Sequence, residues 1–170
     1  MVKNAISLLI AGAAIFAAWK FLSPSDERRI LKVFDRASEL LSKSGEEPMF
    51  TSTAKARELA AFVAPGARLI IDERDMDVTI GGEPLVRQIV LARSQTQFIK
   101  IAFEGISVVF SDDGTAQVAA DVLFKGTSDI MGFSGRDTRE LLATMKRDAA
   151  SGEWLFASIR LKPIVLKQNP

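Results

Sequence analysis

The chain has 170 residues, of which 48% are hydrophobic and 25% charged, and its formal net charge is +1. This length suits one core-forming domain with a short additional segment. The sequence contains no cysteine, no histidine and no tyrosine. Those absences exclude disulfide bonds, a cysteine-linked lipid anchor, a Ser-His-Asp triad and a histidine-based zinc site. The near-zero net charge argues against a nucleic-acid partner.

Residues 5–22 form an apolar run interrupted only by one serine and Lys20. As a helix, this run would be about 27 Å long, close to the roughly 30 Å of a bilayer core. Trp19 and Lys20 stand at its end, where interfacial aromatic and snorkelling basic side chains are found. We therefore predict a transmembrane signal anchor over residues 1–22 and one folded domain over residues 23–170.

The alternatives to an uncleaved anchor are a buried core helix and a cleaved signal peptide. A core helix would need neighbours around its whole circumference, because the run has no polar stripe. A signal peptide fits the basic start but not the cleavage site, since the small pair Ala11 and Ala13 comes too early. The basic residues between Lys20 and Arg36 favour a cytoplasmic domain, whereas the very short tail before the span favours export. We expect export.

Helical periodicity predicts three helices in the domain. The first begins at Ser23 and Pro24, a capping residue followed by a proline suited to the first turn, and ends before Gly45. The predicted elements that follow are a helix over 54–64 that ends at Pro65 and Gly66, strands over 67–71 and 77–80, and a helix over 82–96.

The apolar period changes from helical to two beyond residue 98. The parity of the apolar positions then flips between residues 103 and 106, and the flip falls at Gly105. A one-residue shift would turn the wrong face to the core unless a bulge absorbs it, so we predict a bulge or sharp bend at Gly105. Asp113 and Gly114 then predict a hairpin turn into a second alternating strand.

Residues 138–147 fit a helix and a strand equally well on pattern alone. Leu141, Leu142 and Met145 have helical spacing. The turn residues that precede the alternating strand 154–161 favour a hairpin instead, which would make residues 138–147 a strand.

Four segments resemble the nuclear transport factor 2-like superfamily, which includes ketosteroid isomerase, scytalone dehydratase and polyketide cyclases. They are DERRI at 26–30, GEPL at 82–85, FSDDGTAQV at 110–118 and GEWLF at 152–156. The resemblance covers most of residues 26–166. It implies an α+β fold in which about three helices pack on a strongly curved antiparallel sheet, forming a cone with a pocket at its open end. On this basis residues 138–147 form a strand.

Catalytic members of this superfamily place Asp, His or Tyr at the bottom of the cone, and this chain has neither His nor Tyr. Asp121 is the remaining weak candidate for a catalytic base, although its alternation with the apolar positions predicts that it faces solvent or a partner. The spacing of Glu73, Asp75 and Asp77 is that of a calcium loop, but Val78 stands where glycine is needed. We expect an exposed acidic connection there, with no bound metal and no cofactor.

Two further sets of residues are candidates for ligand contacts. If a pocket stays open inside the cone, its expected apolar lining is Phe34, Phe62, Phe103, Phe124 and Phe156. The glycine-bordered stretch 126–135 could form a lid or docking loop through Ile130, Met131 and Phe133. The plainer interpretations are that the phenylalanines fill the core and that the loop plugs the open end.

The leading hypothesis is a non-enzymatic, single-pass protein of a bacterial inner membrane, with its domain on the periplasmic side. Such a domain would bind a hydrophobic small molecule or a protein partner at the membrane surface. One alternative is a carboxylate-dependent isomerase or dehydratase on the same fold. Another is a bitopic assembly scaffold similar to the inner-membrane component of type IV secretion systems, which implies a homodimer through the outer face of the sheet.

Overall fold

The computed structural model describes residues 25–128 and 133–163. Within those ranges no helix is long and apolar enough to cross a bilayer. The anchor expected over residues 1–22 lies outside the described residues. The described chain forms three α-helices, which are α1 (Asp26–Leu41), α2 (Met49–Ala61) and α3 (Gly82–Ser94).

Helix α1 packs one apolar face against the sheet. The Ser25 side chain caps it by accepting a hydrogen bond from the backbone N–H of Arg28, and Asp26 lies in the first turn. The cap expected at Ser23 is therefore wrong by two residues. The buried face repeats every three or four residues and consists of Ile30, Phe34, Ala37 and Leu40.

One sheet of seven strands forms the rest of the domain, in the order β1-β4-β5-β6-β7-β2-β3. The strands are β1 (Lys43–Ser44), β2 (Val63–Ile71), β3 (Met76–Ile80), β4 (Thr96–Phe110), β5 (Thr115–Ser128), β6 (Phe133–Arg147) and β7 (Trp154–Pro163). Neighbouring strands are antiparallel except for β2 and β7, which are parallel. This α+β architecture agrees with the predicted fold class. The four long strands β4 to β7 were expected, whereas the two-residue strand β1 was not.

The bulge predicted at Gly105 is confirmed. Glu104 pairs with Asp121 and Ser107 with Ala119, so two residues of β4 stand opposite one of β5. Gly105 adopts a φ of +61°, in the left-handed region that favours glycine. The bulge lets the apolar positions before and after it face the same side.

The strand prediction for residues 138–147 is also confirmed, because β6 pairs along its length with both β5 and β7. The expected turn after β4 is present as well. There the Asp113 carboxylate accepts hydrogen bonds from the backbone N–H and the hydroxyl of Thr115, at 3.0 and 2.7 Å.

The connection between α2 and β2 differs from the prediction. Helix α2 begins five residues earlier than expected and ends before Phe62. Pro65 and Gly66 lie inside β2, at the register irregularity where β2 pairs with β7. Pro65 and Gly66 therefore do not end the helix. They lie where the pairing of β2 is irregular, a position that proline and glycine tolerate in a strand.

Candidate functional site

A cavity of about 350 Å³ lies between the three helices and the inner face of the sheet. Helix α3 supplies one wall with Leu85 and Ile89, and α1 supplies Phe34 and Leu41. Alternate residues of the sheet complete it, because a strand turns every second side chain to the same face. All but three of the lining residues are apolar.

The five phenylalanines expected to surround a pocket all lie around this cavity. They are Phe34, Phe62, Phe103, Phe124 and Phe156. Phe34 is fully buried, and its ring lies 5.1 Å from that of Phe103 and 5.3 Å from that of Phe156, both edge to face. These contacts hold the three rings against one another in the cavity wall. That they touch a ligand remains a prediction.

The three polar residues of the lining are Lys43, Arg93 and Thr96, and each bonds to protein atoms. Lys43 Nζ donates to the carbonyl oxygens of Arg93 and Thr96 at 2.7 and 2.6 Å. Thr96 Oγ1 donates to the carbonyl of Ala92 at 2.8 Å. Their polar atoms are thus occupied at the end of α3, and the aliphatic stem of Lys43 completes the apolar wall.

Arg93 and Glu47 form a buried ion pair behind this wall. Their side chains are only 5% and 9% exposed. Arg93 donates from Nε and Nη2 to Glu47 Oε2, at 2.9 and 2.7 Å, and its Nη1 donates to the carbonyl of Leu40 at 2.6 Å. Glu47 also accepts hydrogen bonds from Ser52 Oγ and Lys55 Nζ, at 2.7 and 2.6 Å. The network therefore ties the end of α3 to the end of α1 and to α2.

The pKa of Glu47 reflects two opposing effects. Burial raises it, because a charged carboxylate is harder to keep away from water. The hydrogen bonds from Lys55, Ser52 and Arg93, with the positive charge of Arg93, outweigh burial and lower the pKa to about 2. Glu47 is therefore ionised at neutral pH and already committed to protein donors, so it is unsuited to act as a general base.

Sequence patterns missed this ion pair, because Glu47 follows Gly45 in a polar stretch that resembles an ordinary loop. A signal was present in α3, where Arg93 falls four residues after Ile89 at a position expected to be apolar. A charged residue at such a position indicates a buried partner, but the partner is 46 positions away along the chain.

Asp121, the weak candidate for a catalytic base, does not reach the cavity. It lies in β5 between Glu104 and Glu140, exposed on the outer face, while its neighbour Val122 lines the cavity. This placement agrees with the expectation that it faces solvent or a partner. Among residues 25–128 and 133–163, no Asp or Glu lines the cavity.

The acidic connection around η1, the 3₁₀ turn Asp72–Arg74, is exposed and paired with arginines. Asp72 bonds to Arg160 at 3.0 Å, and Asp77 bonds to Arg68. Glu73 is paired with Arg139 at 2.5 Å. Within the described part of the chain, no cluster of three or more acidic side chains is arranged to hold a metal ion.

The proposed lid is only partly covered by the structure. Ile130 and Met131 lie outside the described residues, and Phe133 is the first residue of β6. A lid or docking role for this loop remains a prediction.

No family model and no curated protein matches the sequence. Solved structures do match. A candidate scytalone dehydratase from Novosphingobium aromaticivorans has 15% identity and a TM-score of 0.61, covering 82% of this chain and 84% of that one. Aln2 from a Streptomyces species has 19% identity and a TM-score of 0.59, with coverages of 83% and 92%.

A third similar structure differs in kind. It is a candidate calcium/calmodulin-dependent protein kinase II association domain from Xanthomonas campestris, with 15% identity, a TM-score of 0.58, and coverages of 84% and 91%. Proteins described as an enzyme and as an association domain therefore share this architecture, and the fold alone does not indicate which role applies. The chain therefore shares the fold of these solved structures, and its three helices on one α+β sheet agree with the fold that the resemblance to nuclear transport factor 2-like proteins implies.

Proposed function

We propose that the chain is a non-catalytic, membrane-anchored domain that binds one apolar small molecule in the cavity. The observations that carry this proposal are the size of the cavity and its apolar lining. The cavity volume of about 350 Å³ falls within the roughly 300 to 1,000 Å³ of cavities that hold small molecules. Nearly the whole lining is hydrocarbon.

The polar atoms near the cavity define the ligand class. A ligand with a charged or strongly polar group would lose its hydrogen bonds to water when it enters the cavity. The lining would not replace them, because Lys43, Arg93 and Thr96 already bond to protein atoms. An unreplaced hydrogen bond costs about 1–3 kcal/mol or more. The cavity therefore favours a hydrocarbon or aromatic body without a charged head.

The anchor expected over residues 5–22 would place this cavity beside a source of such molecules. The run ends three residues before Ser25 caps α1, so a span there holds the domain close to the bilayer. We propose an inner-membrane location with the domain on the periplasmic side.

A carboxylate-dependent isomerase or dehydratase is the second candidate. The structural similarity to a candidate scytalone dehydratase favours it. It requires a proton acceptor in the cavity, yet the lining contains no carboxylate among the described residues, and the buried Glu47 is held by Arg93, Ser52 and Lys55. Binding without chemistry is therefore the better-supported proposal.

The test is photolabelling of the full chain in lipid nanodiscs with a diazirine-bearing decane, followed by mapping of the labelled residues by mass spectrometry. We expect label on cavity residues of β4 to β6, such as Phe103, Phe124 and Leu141. Ile89→Trp enlarges a lining side chain and should remove this labelling. Leu91→Trp is the matched control, because Leu91 lies on the same helix but is 56% exposed.

Label confined to residues 5–22 and the outer surface would contradict the proposal. So would cavity labelling that Ile89→Trp leaves unchanged, because that label would not depend on the open volume. Turnover of an added ketosteroid or hydroxylated aromatic substrate would favour the enzyme. Turnover that is unchanged in Asp121→Asn would show that residues other than Asp121 catalyse the reaction.

A further inference from the structure

Helices α2 and α3 run antiparallel and together form one side of the domain. Met49, at the start of α2, lines a shallow groove with Val90 and Ser94 of α3. At the opposite end, a Cβ placed on Gly81 would lie 3.7 Å from the carbonyl oxygen of Ala64, just beyond the end of α2. The start of α2 therefore lies beside the end of α3, and the outer sides of both helices form one surface.

An apolar patch lies at one end of this surface. Phe50 is 85% exposed and Met49 is 72% exposed, which makes them the two most exposed large hydrophobic side chains in the described part of the chain. Leu91 is also more than half exposed, and it adjoins Val90, which shares the groove with Met49. Exposed apolar side chains that lie together mark a surface with an apolar partner.

Two arginines lie beside the patch. Arg57 follows Phe50 by seven residues on α2, and Arg87 precedes Leu91 by four residues on α3, so each arginine shares a helix side with a patch residue. Both arginines are exposed. Neither forms an ion pair within residues 25–128 and 133–163.

The remaining charges of α2 and α3 do not cancel these arginines. The other basic residues of the two helices, Lys55 and Arg93, both bond to Glu47. Of the acidic residues, Glu58 is held in an ion pair by α1, and Glu83 is exposed in the first turn of α3. Among the described residues, the charges left without an ion pair on these helices are two arginines and one carboxylate, so the surface is weakly basic.

We propose that this surface docks on a bilayer that contains anionic lipid, and we name it the α2–α3 face, defined by Met49, Phe50, Arg57, Arg87 and Leu91. The three apolar side chains enter the interfacial region, and the two arginines bind lipid phosphates. Aromatic and aliphatic side chains flanked by basic ones are typical of helices that lie in the plane of a membrane. The guanidinium group also suits phosphate, because it can donate two parallel hydrogen bonds. This inference rests on the proposed membrane location but not on ligand binding.

The position of α1 brings the α2–α3 face within reach of the bilayer. The proposed anchor ends at residue 22, and α1 begins at Asp26. Arg36 of α1 bonds to Glu58 of α2 at 2.6 Å, which places α2 about 15 Å along α1 from its start. A domain held this closely meets the bilayer with the α2–α3 face when α1 lies along the membrane surface.

The cavity gives a second reason to favour a bilayer over a protein partner. Ala92 adjoins Leu91, is exposed and lines the cavity, so the cavity opens along the edge of the α2–α3 face. The ligand class proposed above, an apolar molecule without a charged head, dissolves in the hydrocarbon of a bilayer. Docking through this face therefore brings the opening next to the phase that holds such molecules.

The test measures tryptophan quenching in the full chain, reconstituted in nanodiscs of equal parts phosphatidylcholine and phosphatidylglycerol. In a Trp19→Phe background, Phe50→Trp adds a reporter that keeps an aromatic ring on the face. Phospholipids brominated on the acyl chains quench tryptophans that reach them, and the signal of the buried Trp154 is subtracted with the background protein. We expect blue-shifted emission and strong quenching for Phe50→Trp.

Val109→Trp is the matched control in the same background. Val109 is likewise an apolar residue that is mostly exposed, at 64%. It lies on the outer face of the sheet, because it pairs with the exposed Gln117. Its emission should be that of a tryptophan in water, and brominated lipid should not quench it.

Charge reversal tests the two arginines in the Phe50→Trp protein. Arg57→Glu combined with Arg87→Glu should lower the ratio of docked to undocked domains about tenfold, since both basic contacts with anionic lipid are lost. The loss should be much smaller in nanodiscs of phosphatidylcholine alone. Lys125→Glu, which reverses an exposed basic residue of β5, should leave the ratio unchanged.

Removal of the apolar patch tests the other contribution. Met49→Ser combined with Leu91→Ser should also lower the docked ratio about tenfold, because two apolar side chains no longer leave water on docking. The effect should persist in phosphatidylcholine alone. Both residues are exposed, so the urea midpoint of the fold should not change.

Unquenched Phe50→Trp in a chain that stays in the nanodiscs overturns this inference and leaves ligand binding untouched. Blue-shifted emission without lipid quenching also overturns it, because a protein surface, such as a second copy, would then cover the face. Equal quenching of Val109→Trp overturns it as well. A chain that does not stay with nanodiscs overturns both docking and the proposed membrane location, whereas a chain that docks but binds no ligand contradicts the cavity proposal alone.

Discussion

Replacing Glu47 with Gln measures how much the buried Arg93–Glu47 ion pair contributes to the stability of the fold. The substitution keeps the size of the side chain but removes the negative charge that faces Arg93, which is only 5% exposed and cannot regain that charge from water. Removing one partner of a buried ion pair costs about 3–5 kcal/mol. We expect the lower end, about 3 kcal/mol, because Lys55 is one-third exposed and can be solvated after the change.

The chain contains a matched control in an exposed ion pair of similar geometry. Arg36 donates to both oxygens of Glu58, at 2.6 and 2.9 Å, but these side chains are 47% and 42% exposed. Glu58→Gln should therefore cost at most about 1 kcal/mol. The difference between the two costs measures the combined effect of burial and of the additional Ser52 and Lys55 contacts at Glu47.

The assay is urea unfolding of the full chain in a mild detergent, followed by tryptophan fluorescence in a Trp19→Phe background, so that the signal comes from the buried Trp154. A double-mutant cycle with Arg93→Met should give a coupling energy of about 2 kcal/mol or more. Arg93→Met alone should also be costly, because the carbonyl of Leu40 loses its donor. Equal costs for Glu47→Gln and Glu58→Gln, or additive effects in the cycle, would refute the reasoning.

Two further predictions concern acid stability and the bulge. The pKa of Glu47 is lowered from 4.5 to about 2 on folding, so the contribution of its charge to stability is fully present above about pH 4.5 and is lost as the pH falls toward 2. In urea titrations at stepped pH, the wild type should lose unfolding free energy across that window. An equally steep loss in Glu47→Gln would contradict this prediction. Gly105→Ala should cost about 1–2 kcal/mol of unfolding free energy, because the residue has a φ of +61°. The cost comes from the backbone conformation alone, since an added Cβ meets no atom within 4 Å. An unchanged urea midpoint would show that the left-handed conformation is not required there.

Alternation along the strands made most of the sheet predictable. The parity flip located the bulge at Gly105, since a strand that is buried on one face can change parity only through an extra residue. Residues 138–147 were ambiguous because their apolar positions fit both periods, and pairing with β5 and β7 decides for a strand. Pro65 and Gly66 were misassigned as a turn, because local propensity does not show that β7 lies alongside them.

The cavity was predictable only in part. Alternation in β4 and β5 places Phe103 and Phe124 on inward faces, and helical periodicity does the same for Phe34 and Phe62. The inward position of Phe156 was not predictable from alternation, because it depends on the register shift between β6 and β7. Whether such rings fill a core or leave a volume open depends on side-chain packing, which no periodicity encodes. The Arg93–Glu47 pair and the two-residue strand at Lys43 depend on contacts between residues far apart in the sequence.

The central claim is that the cavity binds one apolar molecule, and the most direct measurement is a titration of the full chain in nanodiscs with the neutral fluorophore N-phenyl-1-naphthylamine. The fluorophore is excited at a wavelength longer than tryptophan absorbs, and the signal of empty nanodiscs is subtracted. The proposal predicts saturable binding with one site per chain for the wild type and Leu91→Trp, and loss of that saturable signal in Ile89→Trp. A signal that rises without saturation and equally in all three proteins would show partition into the bilayer alone and would contradict a ligand-binding cavity.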